Sequence, residues 1–286
     1  MIKELISFFS LGINISGTLF LPENDSKVPA VIMCHGAGDY KEDYFPLAAY
    51  LSEHGFAVLC IDMHGHGESG GERYNVRMSE WTSDIYGALD FLLTHPRIIS
   101  DKIGAFGISS GGTAILEAAV VDKRLRSLVV LDSTVRDSLP FFQSLSFRVL
   151  SLLGSVNKFF TGSDWRVSLQ KFGGGMQLAA DSKLNAEIIS NPRFKEAYEN
   201  FPFPGAKESF IVDTIKRVGK IKSPTMVIWG EKDMIDPPET AKILYDALTC
   251  EKEIHVIKGN GHVGHLDIHK DEVYALTLQW FEKLKL

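Results

Sequence analysis

The sequence has few cysteines and no long apolar run, and both absences narrow the kinds of protein it can be. Its three cysteines, Cys34, Cys60 and Cys250, show no paired spacing. This favours free thiols in a reducing compartment over a disulfide framework. No run reaches the ~20 apolar residues of a transmembrane helix, and no small-residue cleavage site follows the apolar N-terminal segment. We therefore expect a cytoplasmic protein that does not act at a membrane.

The sequence also lacks an excess of positive charge. The 286 residues carry 30 lysines and arginines against 36 aspartates and glutamates, a net charge of −6. This balance argues against a nucleic-acid surface. The glycine-rich turns contain neither the lysine of a phosphate loop nor a complete dinucleotide fingerprint. We expect no nucleic-acid partner and no cofactor.

Two groups of histidines have spacings that a metal ion could use: His64 with His66, and His262 with His265 and His269. No cysteine or carboxylate completes a recognised ligand pattern around them. We therefore expect no metal site. His64 and His66 lie in a glycine-rich turn, where a structural role is the simpler interpretation.

What the chain does contain is a regular alternation of short apolar strands and amphipathic helices. This alternation is typical of an α/β fold with a mostly parallel sheet covered by helices on both faces. At the N-terminus we expect a β-hairpin that turns at Gly12-Ile13-Asn14. Helices are expected near residues 44–54, 79–94, 111–121, 238–248 and 270–284.

The alternation breaks between residues 135 and 219, an interval too long for a simple loop. It contains Gly173-Gly174-Gly175 and an apolar stretch from Phe141 to Phe160. Ten of the chain's 18 phenylalanines fall in residues 136–219. This enrichment predicts an apolar wall for a substrate, with ordinary packing onto the core as the alternative. We predict three parts: a core at 1–134, a mainly helical cap insertion at 135–219, and the rest of the core at 220–286.

The most informative motif is Gly107-Ile108-Ser109-Ser110-Gly111, between a predicted strand and a predicted helix. A serine on so tight a turn is held in strained backbone geometry with its hydroxyl above the sheet edge. Small residues at Gly107 and Gly111 let the two elements approach each other. Ser109 is thus a candidate nucleophile, which requires a base and a group that orients the base. A glycine-rich turn without chemistry is the alternative.

Suitable partners follow two later strands. The strand at 225–229 precedes a loop with the candidate acids Glu231, Asp233 and Asp236, and the strand at 252–257 precedes a loop with His262 and His265. Open α/β sheets build their sites at these carboxyl ends of strands. Another candidate acid, Asp132, closes the strand at 128–131.

Five motifs, in this order, resemble those of the α/β-hydrolase superfamily: His35-Gly36-Ala37-Gly38, the segment from Asp62 to Ser69, Gly107–Gly111, Gly230-Glu231-Lys232-Asp233 and Gly261-His262. The resemblance covers nearly the whole chain outside the middle segment. It implies Ser109 as nucleophile, Asp233 as acid and His262 as general base. It also implies an oxyanion hole formed by the backbone N–H groups of Ala37 and Ser110.

The activity that the resemblance implies is that of a serine hydrolase, most simply a carboxylesterase that works through an acyl-enzyme. Its partner would be a small-molecule ester or acyl substrate with apolar groups. A peptidase, amidase or thioesterase could use the same residues, and a carbon–carbon bond hydrolase is a more distant alternative. A non-catalytic binding protein on the same scaffold would be expected to lack one of the three catalytic residue types.

Overall fold

The computed structural model describes residues 1–169 and 176–285, so the Gly173-Gly174-Gly175 motif and Phe172 lie outside the described residues. The strands are β1 (Ile2–Ser10), β2 (Ile13–Leu21), β3 (Val28–Cys34), β4 (Ala57–Ile61), β5 (Ile98–Ile108), β6 (Ser127–Leu131), β7 (Trp165–Val167), β8 (Phe201–Phe203), β9 (Thr225–Gly230) and β10 (Lys252–Ile257). The α-helices are α1 (Phe45–Glu53), α2 (Met78–Thr94), α3 (Ser109–Val121), α4 (Phe141–Thr161), α5 (Ser182–Ser190), α6 (Pro192–Glu199), α7 (Glu239–Ala247) and α8 (Lys270–Glu282).

A central sheet of eight strands runs in the order β1-β2-β4-β3-β5-β6-β9-β10. Its first three strands pair antiparallel, and every pairing from β4 to β10 is parallel. Helices α2, α3 and α7 pack on one face and α1 and α8 on the other. Strands covered on both faces are apolar throughout, as β3 and β4 are. The expected α/β fold with a mostly parallel sheet is confirmed.

Two local boundaries differ from the sequence-based expectation. The hairpin turns at Leu11 and Gly12, whose φ angles are +50° and +79°, and not at Gly12-Ile13-Asn14. Ile13 and Asn14 already belong to β2, where Ile13 pairs with Ser10. A two-residue turn with positive φ at both positions suits the right-handed twist of the strands. Helix α3 also begins two residues earlier than expected, at Ser109 itself.

The segment between β6 and β9 carries α4, α5, α6 and the small antiparallel sheet of β7 and β8. Helix α4 packs on β8, and Gly154 leaves no room for a Cβ because the Phe203 backbone lies against it. The Phe147 ring of α4 contacts the rings of Phe201, Phe203 and Phe210 within 5.0–6.3 Å between centroids. Within the described ranges, no helix combines the length and apolarity needed to cross a bilayer.

The phenylalanines of this segment do not share one role. Phe147, Phe201, Phe203 and Phe210 form the cluster just described. Four others lie on the outer face of α4 and are 74 to 83 % exposed: Phe141, Phe142, Phe159 and Phe160. Neither a substrate wall nor packing onto the core accounts for these four.

A buried ion pair joins the loops that follow β3 and β4. The Lys41 ammonium lies 2.6 Å from Asp62 and 2.8 Å from Glu68, and the Lys41 side chain is only 2 % exposed. Asp62 also accepts the backbone N–H groups of Lys41 and Glu68. Among the described residues, Glu42, Asp62 and Glu68 are the one acidic group spaced closely enough for a metal ion, and the Lys41 ammonium already binds all three.

We predict that Lys41→Met lowers the free energy of unfolding by about 3–5 kcal/mol, because the buried Asp62 carboxylate loses its cation. Chemical denaturation would measure the change. The matched control is Lys183→Met, which removes an ammonium that is 87 % exposed and 4.0 Å from Glu187. That control should cost less than about 0.5 kcal/mol. Equal losses in the two variants would contradict a stabilising role for the buried pair.

Candidate active site

Ser109 lies on a sharp turn where β5 becomes α3. Its φ is +50°, a left-handed conformation that is costly for a residue with a side chain and is frequent at functional sites. A Cβ at Gly107 would come within 2.6 Å of the Gly111 carbonyl oxygen, and a Cβ at Gly111 would overlap the carbonyls of Cys34 and His35. The two glycines are therefore required for the close approach that the sequence predicts.

His262 and Asp233 are brought together by the loops after β10 and β9. The Nδ1 atom of His262 lies 2.9 Å from Asp233 Oδ2, and both residues are buried. The other carboxylate oxygen of Asp233 accepts the backbone N–H groups of Ile235 and Asp236. Asp233 is thereby fixed in place, and Nδ1–H donation to it leaves the Nε2 atom of His262 available to accept a proton.

The other candidate acids have different partners. Asp132 accepts the backbone N–H of Gly230 with Oδ1 at 2.7 Å, and Asp236 accepts the hydroxyl of Thr134 at 2.7 Å. Glu231 is exposed and accepts the Gly259 N–H. Of the carboxylates that the sequence offers, Asp233 is the one hydrogen-bonded to His262.

His265, the alternative base, lies against Tyr44. The two rings stack with centroids 4.6 Å apart and planes 8° apart, and His265 is 1 % exposed. Neither ring nitrogen has a hydrogen-bond partner among the described residues. Burial, together with the nearby charge of His262, lowers the pKa of His265 to about 3, so the ring is neutral at physiological pH. In the part of the chain that the structure describes, no carboxylate orients this ring as Asp233 orients His262.

The loop after β3 reaches Ser109. A Cβ on Gly36 would lie 3.3 Å from the Ser109 Cβ, and the next residue, Ala37, lines the same cavity as Ser109 and His262. His35 braces this loop from below, since its ring bonds to the Gly36 carbonyl and accepts the N–H of Met63.

Ser110 is the second residue of α3. At that position a backbone N–H has no acceptor inside its own helix. The N–H groups of Ala37 and Ser110 therefore belong to the two backbone segments next to Ser109.

Three carboxyl groups surround His262 and control its charge. Burial alone would lower the pKa of His262, but Asp233, followed by Asp132 and Asp236, raises it well above its ordinary value. Burial in turn raises the pKa of Asp132 well above its ordinary value, with the charge of Asp233 as a further cause. Burial likewise raises the pKa of Asp236 to about 7. Asp233 is the largest of the three attractions on the imidazolium.

Two neighbouring cavities meet at this site. The inner cavity is lined by Ser109 and His262 and has about 30 Å³ of free space, enough for water but far below the ~300–1,000 Å³ of an ordinary ligand site. The outer cavity has about 450 Å³ and is lined by His265. Asp39, Phe194 and Val263 line both cavities.

Sequence reasoning did not single out Asp39. Its carboxylate accepts hydrogen bonds from the Tyr44 hydroxyl at 3.1 Å and from the Gly36 N–H at 3.3 Å. The sequence feature that could have identified Asp39 is its position three residues after Gly36, in the predicted oxyanion loop.

The remaining histidines named in the sequence analysis serve the fold. His64 is buried, and its ring and backbone N–H both bond to the Asp84 carboxylate. His66 bonds to the His64 carbonyl. Burial lowers the pKa of His66 to about 3. The ring of His269 lies about 3.6 Å from where a Cβ of Gly259 would be.

Ser109 and His262 line one cavity, but no hydrogen bond joins their side chains in the described part of the chain. Catalytic hydrogen bonds are often long before substrate binds and shorten in the complex. The site thus presents a strained serine, a histidine oriented by a buried carboxylate, and nearby backbone N–H groups at one edge of the sheet. This arrangement is suited to attack on a carbonyl carbon.

The comparison with known families agrees with the fold. The family model described as "Serine aminopeptidase, S33" (Hydrolase_4) matches residues 25–269. The chain belongs to this family of α/β hydrolases, and the protein is accordingly a hydrolase.

Individual relatives are similar over almost the full chain. An uncharacterized 31.7 kDa protein of the traX-finO intergenic region of Escherichia coli is 28% identical over 97% of this chain and 99% of its own length. A thiohydrolase of Eupenicillium brefeldianum is 28% identical over 98% of this chain and 94% of its own length. The structure of a thermostable carboxyl esterase from Bacillus coagulans shares the fold, with a TM-score of 0.77, 18% identity and complete coverage of both chains.

We predict that Asp233→Asn lowers the pKa of His262, because it removes the largest of the three attractions on the imidazolium. Titration of the His262 ring signals by NMR would measure the shift. Asp246→Asn, which alters an exposed carboxylate paired with Lys242, should leave the titration unchanged. A fall in the pKa with Asp132→Asn but none with Asp233→Asn would identify Asp132 as the partner instead.

Proposed function

We propose that the protein hydrolyses carboxylic esters through an acyl-enzyme, with Ser109 as nucleophile, His262 as general base and Asp233 as the acid that orients the base. The observation that carries the proposal is the His262–Asp233 hydrogen bond of 2.9 Å beside a serine with φ of +50°. These are the three groups that activation of a serine hydroxyl requires.

In the first half-reaction, Ser109 Oγ attacks the ester carbonyl carbon while its proton passes to Nε2 of His262. Asp233 stabilises the imidazolium that forms and keeps Nδ1 protonated. The carbonyl oxygen becomes an oxyanion, which the N–H groups of Ala37 and Ser110 would stabilise. His262 then gives its proton to the departing alcohol, and the acyl group remains on Ser109.

In the second half-reaction, water attacks the acyl-enzyme and loses a proton to His262. His262 then returns that proton to Ser109 Oγ as the bond between Oγ and the acyl carbon breaks, and the carboxylic acid is released. Because only the neutral imidazole can accept a proton, the rate is expected to rise with pH through the pKa of His262. The raised pKa of His262 places this rise above the ordinary histidine value of about 6.5.

The two cavities suggest how the substrate is arranged. The inner cavity, with about 30 Å³, is too small for an acyl chain, whereas the outer cavity is within the ~300–1,000 Å³ of ordinary ligand sites. Phe194 of α6 lines both. We infer that residues 135–219 act as a cap, and that an apolar substrate group displaces Phe194 to extend from Ser109 into the outer cavity.

A thioester is the second candidate substrate class. It is favoured by the similarity to the thiohydrolase of Eupenicillium brefeldianum. Attack by Ser109 on a thioester carbonyl would use the same groups, with a thiol leaving in place of the alcohol. Matched oxygen esters and thioesters of one acyl group, compared by kcat/KM, would decide between the two classes.

We predict that Ser109→Ala lowers kcat by roughly 10⁴–10⁶, the loss typical of a disabled triad. A fluorophosphonate probe should label the wild type and leave this variant unlabelled. The matched control is Ser110→Ala, because the Ser110 hydroxyl is buried without a partner among the described residues and the variant keeps the backbone N–H. Near wild-type hydrolysis by Ser109→Ala would refute the proposed nucleophile.

A further prediction concerns acyl-chain length. The kcat/KM for nitrophenyl esters should rise over several carbons, because each buried methylene adds up to about 0.8 kcal/mol. Phe194→Ala should increase the advantage of long chains over short ones by joining the cavities. The control is Phe142→Ala, whose side chain is 79 % exposed on α4. An unchanged chain-length profile in Phe194→Ala, or faster hydrolysis of an anionic ester, would contradict this assignment.

A further inference from the structure

Helix α4 has an apolar outer face that the proposed chemistry does not use. Nine of its residues are large, apolar and 46 to 83 % exposed. We call them the α4 stripe: Phe141, Phe142, Leu145, Val149, Leu152, Leu153, Val156, Phe159 and Phe160. At about 100° per residue they fall within about 120° of the helix circumference, and no polar residue lies among them.

The opposite face of α4 explains why the stripe points outward. Ser151 and Gly154 are buried, and Phe147 and Leu150 pack against the core. The helix therefore has two apolar faces, and residues 1–169 and 176–285 cover one of them.

The α4 stripe is large by the standard of a monomer surface. With about 150–250 Å² available per aromatic side chain, its four phenylalanines alone offer on the order of 600 Å². Five exposed aliphatic side chains add to this area. The total reaches the ~800 Å² per partner of a stable protein interface, whereas the largest apolar patch of a typical monomer is about 300–600 Å².

The stripe has a similar sequence of residue types in both directions along the helix, counted from a point between Leu150 and Ser151. An antiparallel copy would place four pairs opposite one another: Phe141 with Phe160, Phe142 with Phe159, Leu145 with Val156, and Val149 with Leu152. Self-complementarity of this kind is what a two-fold symmetric interface requires, since the same patch serves both subunits.

The charges beside the stripe favour a protein partner over a lipid surface. Helices that lie on membranes use free lysines and arginines to bind anionic lipids. Arg148 of α4 is instead paired with Asp137 at 2.7 Å, and Lys158 with Glu72 at 2.6 Å. The net charge of −6 also opposes binding to an anionic surface.

We propose that the α4 stripe is the interface of a homodimer, in which α4 packs antiparallel against α4 of a second copy about a two-fold axis. The axis crosses the stripe between Val149 and Leu152. The active sites do not contribute to this contact, because Ser109 and His262 line a cavity that contains no residue of the stripe.

Sedimentation velocity at micromolar concentration should give twice the chain mass of 31.8 kDa. Leu152→Glu and Val149→Glu should each weaken dimerisation by at least ~30-fold, the effect of removing an interface hot spot, with unchanged circular dichroism. The matched control is Leu5→Glu, at a β1 residue that is 86 % exposed, which should stay dimeric. A monomeric wild type, or a dimer disrupted by Leu5→Glu but not by Leu152→Glu, would overturn the proposal.

Disulfide trapping tests the antiparallel register. In a Cys250→Ser background, Leu145→Cys and Val156→Cys chains should cross-link when mixed, because these positions face each other in the antiparallel register. Each chain alone should cross-link poorly, because the rise of ~1.5 Å per residue places either position roughly 16 Å from its own copy. Equal cross-linking in all three samples would refute the register. Flotation of a monomeric wild type with phosphatidylcholine–phosphatidylglycerol vesicles, lost in Leu152→Glu, would instead assign the stripe to a membrane surface.

Discussion

Parallel pairing of the strands from β4 to β10 is the constraint on which the site depends. Parallel neighbours cannot be joined by a tight hairpin, so the chain must cross over before each new strand. Every carboxyl end then lies at the same edge of the sheet. Ser109, Asp233 and His262 each follow a strand of this set. They therefore lie at the same edge of the sheet although they are far apart in the sequence. The Lys41–Asp62 pair fixes two further loops at that edge.

Much of this organisation could be predicted from the sequence, because it follows from short-range patterns. Apolar runs give the strands, and Gly107 and Gly111 indicate the tight turn at Ser109. The loops holding Asp233 and His262 were predictable for the same reason. Choosing Asp233 over Asp132 by geometry needs the structure, since both acids follow strands and the hydrogen bond to His262 depends on loop conformation.

Other features could not be predicted because they depend on packing between distant segments. The apolar spacing of α4 indicates a helix but does not say which of its two apolar faces is covered. The contact of Gly154 with Phe203 decides that. Asp39 was missed because its relevance comes from Tyr44 and from two cavities that no local pattern reveals. The hairpin turn was misplaced by one residue, since Leu11 with positive φ gives no sequence signal.

The size of the inner cavity bears on what can react with an acylated Ser109. A space of about 30 Å³ beside His262 has room for water but not for an acyl chain. If Ser109 is acylated as proposed, the water that reaches the acyl carbon must enter this small space. An alcohol or thiol entering from the outer cavity would compete with that water for the acyl carbon, so the side chains around Phe194 would set the balance between group transfer and hydrolysis.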